Sequence, residues 1–164
     1  MLSGNPDTFA IWCDAVDPWS TPAFANGCFG YFMGGRLIWS SRSTLGVDLS
    51  MLSRLHCMKN SVEDAHLFHL PPQDAYCELR KRAFPSMDSN AKVSDFNHLV
   101  SAESLSDDGN YFFLVEYAEL AKLIYGFKEN ASEIVEVIFA RGEFQSAVRE
   151  AIKKCPKEFN AGSC

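Results

Sequence analysis

Apolar residues in the first forty positions fall in short runs broken by Pro, Asn and Gly, the pattern of strands rather than helices. "TFAIWCDAVD" (8–17) predicts a strand that ends at Pro18, and "AFANGCFGYFM" (23–33) predicts a second, with Phe29, Tyr31 and Met33 on one side. Gly27 and Gly30 leave room there for a bulge or a close neighbour. Gly34 and Gly35 tolerate positive φ, so "RLIWSS" (36–41) returns as the third strand of a hairpin. Trp12 and Trp39, inside these runs, are expected in the core.

The period then changes. Leu45, Leu49, Leu52 and Leu55 recur at helical spacing within 44–58. The segment 59–70 fits neither template. A second helix is expected over 71–85, with prolines at both ends, Asp74 early, Arg80, Lys81 and Arg82 late, and a stripe of Ala75, Tyr76, Leu79 and Ala83. A polar loop follows at 86–95. Strands are expected over 96–106, 111–117, 119–127 and 133–140, with Asp107, Asp108, Gly109 and Asn110 as a hairpin turn. A last helix, 142–156, carries Phe144, Val148, Ala151, Ile152 and Cys155 on one stripe and closes with Lys153, Lys154 and Pro156. Strands and helices in runs, without regular alternation, predict an α+β fold: one domain over 1–164, a mainly antiparallel sheet of about seven strands and about three helices.

Composition changes this picture little, and charge changes it more. The chain has 164 residues, 47% apolar and 22% charged, an ordinary globular balance. It has no apolar run long enough for a membrane span, and the opening "MLSGNPDTFAIW" lacks the basic start of a signal peptide, so a cytoplasmic protein is expected. Six cysteines without a C-x-x-C pair are then expected reduced, with Cys164 exposed. The net charge of −6 is concentrated in residues 61–110, which hold nine acids against four bases. Such a surface excludes direct nucleic-acid binding, which needs cations, and suits a basic protein partner.

No catalytic constellation emerges. The glycines of 27–35 precede a strand, whereas a dinucleotide fingerprint opens a helix, and no phosphate-loop or G-x-S-x-G motif occurs. His66 and His69 can share a helical face, but no second ligand pair follows, so no metal and no cofactor are expected. Cys57 and His56 are adjacent and point apart on a helix. Glu116 and Glu119, flanking a bend, read either as an acid/base pair or as solvated edge charges.

Taken together, "GNPDTFAIWCD", "FANGCFGYFMGG", "SLSDDGNYFFLVEY" and "EIVEVIFARGEF" leading into a final helix resemble the immunity protein 42 family of bacterial polymorphic toxin systems, from residue 4 to about residue 155. The resemblance implies a cytoplasmic antidote, not an enzyme, that neutralises a cognate toxin domain by binding it, as a monomer or weak homodimer. With the acidic excess, it points to Asp88, Asp95, Glu103, Asp107 and Asp108 in or beside loops as toxin-binding residues. Glu63 and Asp64 join them, and Trp19 is the expected aromatic anchor. Two other classes stay open: an enzyme assembled around His66, His69 and Glu116, and a small-molecule binder whose cavity is lined by the aromatics of 29–39 and 111–117.

Overall fold

The computed structural model describes residues 1–88 and 93–155, with the side chain of Ala131 left aside. The expectations for Pro156, for Cys164 and for the middle of the 86–95 loop lie outside these residues. The chain divides into two compact units: Met1–Arg54 with Ala102–Gly109 and the stretch from Gly142, and Leu55–Ser101 with Asn110–Arg141.

In the first unit, β1 (Leu2–Asn5), β2 (Phe9–Ala15), β3 (Asn26–Met33) and β4 (Arg36–Thr44) form an antiparallel sheet in that order. Gly34 and Gly35 have φ of 56° and 82°, and the link pairs Met33 with Arg36, the expected hairpin. Gly27 and Gly30 are both required by close neighbours, a Cβ on Gly27 falling 2.1 Å from the Asp14 carbonyl oxygen. A bulge falls between Gly27 and Phe29, and a Cβ on Gly30 would sit 2.7 Å from both the Ile38 carbonyl oxygen and the Trp39 Cβ. Three helices complete the unit: α1 (Leu45–Ser53), α4 (Glu103–Asp107) and α5 (Glu143–Lys154). Phe9, Tyr31 and Phe144, all fully buried, interlock with ring centroids 4.8–6.4 Å apart and fasten α5 to the inner face of the sheet.

Strand period two sends the alternate residues outward. Leu2, Trp12, Gly30 and Trp39 stand in one cross-strand row, with the two indoles 6.4 Å apart and edge to face. Trp39 is 51% exposed and Trp12 half-buried, a correction to their expected place in the core. The backbone groups on the free side of β1 are capped by α5. Gly4 N–H donates to Glu150 Oε2 at 3.1 Å and Lys154 Nζ donates to the Leu2 carbonyl at 2.8 Å. Glu150 and Lys154 are themselves paired at 2.6 Å.

The second unit holds β5 (Asn110–Tyr117), β6 (Leu120–Phe127) and β7 (Asn130–Ala140), an antiparallel sheet in sequence order, with α2 (Ala65–His69) and α3 (Pro72–Ala83). Both hairpins have two-residue links whose first member, Ala118 or Lys128, takes φ of 49° without being glycine. Leu67 and Phe68 of α2 and Ala75, Tyr76 and Leu79 of α3 bury against Phe113, Val115 and Ile124. The outer side of β5 is paired: Glu116 N–H donates to Val62 O, Asp64 N–H to Glu116 O, Leu114 N–H to His98 O and Val100 N–H to Phe112 O.

Among the described residues, the α+β class and the seven strands agree with the sequence, but the strands are shared between two sheets and the α-helices number five. The expected strand 96–106 is not one. Residues 103–107 are helical, and only Leu99 bridges to Phe113. The Asp-Gly signal is a helix end: Gly109, at φ 87°, follows α4 and its N–H donates to Ser106 O. The strand β1 was not expected, since four residues with Gly4 and Asn5 carry no period.

Candidate functional site

The eight expected partner-binding residues fall four to each unit. In the first unit, Glu103 opens the short helix α4 and Asp107 closes it one turn later, so both carboxylates lie on one helical face and both are exposed. They border a cleft of about 250 Å³ whose other walls include Arg42, Thr44, Val47 and Asp48. Asp108 belongs to the same helix end but is engaged: its carboxylate accepts from Arg42, and this partner, with Ser40, holds it below the usual aspartate range. Trp19 ends a 3-10 turn over Asp17–Trp19 and is 50% exposed, its carbonyl accepting from Asn26 Nδ2 at 2.8 Å.

The residue that builds this cleft was not among the sequence candidates. Asp48 is 1% exposed, and its carboxylate accepts three hydrogen bonds: Ser43 Oγ at 2.5 Å, Ser104 Oγ at 2.6 Å and Ser104 N–H at 2.9 Å. The N-terminus of α4 has no capping side chain of its own, so Asp48 of α1 supplies the acceptor from another element. Glu103 and Asp107 are presented because Asp48 fixes the turn beneath them.

In the second unit, the four expected residues serve mixed purposes. Asp64 caps α2 by accepting Leu67 N–H at 2.9 Å and stands 3.7 Å from Arg82. Glu63 pairs with Arg141 at 2.8 Å. Asp95 turns back on Asn97 N–H at 3.0 Å, and Asp88 is exposed. Glu116 corrects the reading of a solvated edge charge. It is 2% exposed, accepts Val62 N–H at 3.3 Å and lies 3.3 Å from Arg141, while Glu119 is exposed.

The chemistry of the remaining candidates is structural. His66 lies 3.4 Å from Glu78, and His69 Nδ1 is 2.7 Å from the Ala65 carbonyl oxygen. Among the described residues, no three His, Cys, Asp or Glu side chains converge as a metal site. Burial pushes the thiols of Cys13 and Cys57 up to about 12, which keeps them protonated and unreactive. Phe29, Tyr31, Phe112 and Phe113, expected around a ligand cavity, are packed in cores and at most 1% exposed. No helix among the described residues is long and apolar enough to cross a membrane.

What the described residues present is surface: the exposed carboxylates of Glu103 and Asp107 on a capped helix, and the exposed indoles of Trp19 and Trp39. No curated protein matches the chain. The crystal structure of CdiI from Burkholderia dolosa AUO158 matches with a TM-score of 0.93 at 75% identity, covering 94% of this chain and 100% of that one. The family model described as immunity protein 42 matches residues 1–154, nearly the whole length, and the chain belongs to that family.

Proposed function

We propose that this immunity protein neutralises its toxin by a stoichiometric complex that covers the toxin's active site or blocks its substrate channel, and that the 1–164 chain does so as one domain in the cytoplasm. Family membership carries the reading. The partner face is acidic. Glu103 and Asp107 protrude beside the Asp48 cleft, where a lysine or arginine of a basic toxin gains two carboxylates. Asp108 and Glu63 are engaged by Arg42 and Arg141, so their part is to hold those guanidinium groups in place. Trp19 offers a half-exposed ring, the kind of side chain in which interface energy concentrates.

The test is co-expression with the toxin domain encoded next to this gene. Wild-type protein is expected to restore growth and to co-purify at equal stoichiometry with the toxin. A toxin that kills regardless and elutes alone rejects the reading.

A further inference from the structure

The sheet edges differ in how they are closed. The edge of β1 is capped by Glu150 and Lys154, that of β5 is paired to residues 62–64 and 98–100, and β4 is bulged with α4 packed beside it. β7 is bulged too, between its pairs Asn130–Phe127 and Val135–Tyr125, but from Val135 to Ala140 it runs in regular register and its free side has no such cover among the described residues. Among the described residues, no backbone hydrogen bond reaches Glu136, Ile138 or Ala140 from beyond this sheet. Nor does it carry the lysines or proline with which proteins blunt an exposed edge.

Register shows which groups are available. Arg141 N–H donates to Glu119 O at 2.9 Å, so that pair exchanges hydrogen bonds, and the alternation turns Val137 and Phe139 inward. The N–H and C=O groups of Glu136, Ile138 and Ala140 therefore point away from β6. Beside them, the side chains of Ile138 (47% exposed) and of Leu120 opposite Ala140 (45%) form an apolar step. Charge on β7 is of one sign: Glu136 is matched by Lys122 at 3.1 Å, while Glu133 is exposed.

We propose that the outer edge of β7 receives an extended strand of the cognate toxin, one that carries a lysine or arginine near Glu133 and branched apolar side chains against Ile138 and Leu120. Main-chain bonds to Glu136, Ile138 and Ala140 supply affinity and the flanking side chains supply selectivity. The proposal rests on the immunity reading above and specifies where part of the contact is made.

Residue-resolved amide exchange tests it, on the protein alone and with the toxin domain encoded beside its gene. The amides of Glu136, Ile138 and Ala140 are expected to exchange fast in the free protein and at least about tenfold slower in the complex, with Val137 and Phe139 slow in both. Ile138→Pro, which removes an outward donor and spares the β6 ladder, is expected to weaken binding about tenfold or more, and Ile138→Ala to weaken it less. A complex in which the three amides stay fast overturns the proposal while leaving the immunity reading intact. Protection that grows with concentration of the protein alone also overturns it, since the edge then joins two copies. Absence of any complex rejects both readings.

Discussion

Asp48 illustrates how much one buried side chain can set. A carboxylate taken out of water is tolerated only when its lone pairs are filled, and here Ser43 and Ser104 fill them with three donors. Asp48→Ala leaves those donors stranded and α4 uncapped, and is expected to cost about 3 kcal/mol of unfolding free energy. Asp48→Asn, which keeps an acceptor for Ser104 N–H, is expected to cost distinctly less. Urea unfolding of both variants checks this, and equal losses would show that volume rather than charge and hydrogen bonding matters. In the sequence this residue is one acid in the first turn of a leucine-patterned helix, indistinguishable from a solvated one. Glu116 is a similar case, because a strand-end glutamate declares its burial only once Arg141 and Val62 are beside it.

At the level of elements, the β1 edge shows a helix guarding a sheet. Glu150 and Lys154 are an ordinary i,i+4 pair, yet they also fill the outward N–H of Gly4 and C=O of Leu2. Lys154 first, and the Gly4 amide with it, hold the Glu150 carboxyl below its ordinary 4.5. A lowered folded-state pKa means that the contact contributes in full above the ordinary value and is lost as pH falls through the lowered one. The double variant Glu150→Ala/Lys154→Ala is expected to self-associate with concentration at neutral pH, when sedimentation velocity finds wild type in a single species. Wild type should approach that behaviour only as pH falls well below the ordinary 4.5. A variant as monodisperse as wild type would mean that the short strand alone suffices to blunt the edge.

For the whole molecule, a net charge of −6 acts on encounter rather than on fold. Reversing Glu103 and Asp107 to lysine is expected to slow association with the toxin domain several-fold at low salt and to flatten its salt dependence, with dissociation little changed. At about 1 M salt, where the screening length is about 3 Å, the two association rates should converge. Stopped-flow mixing across salt concentrations measures both. Identical rates at low salt would place the contact on another face. Asp108→Lys is a poor choice for this experiment, since it breaks the pair with Arg42 and so confounds charge with structure.

Sequence by itself determined the features written in local chemistry. The Gly34–Gly35 hairpin follows from positive φ, α3 and α5 from apolar stripes with dipole-matched ends, and the antiparallel α+β class from the order of periods. It also supplied the family, through motifs that are strands and turns. It misread 96–106 because Leu99, Val100 and Leu105 imitate a strand, whereas a cap from Asp48, 56 positions away from Ser104, makes residues 103–107 a helix. It placed Trp39 in the core because a tryptophan in an apolar run looks buried, and only the pairing register shows which face each residue takes. Tertiary structure alone decided which carboxylates are already engaged, which sheet edges are closed and which lie open. Those properties belong to pairs of residues distant in the chain, and no local pattern encodes them.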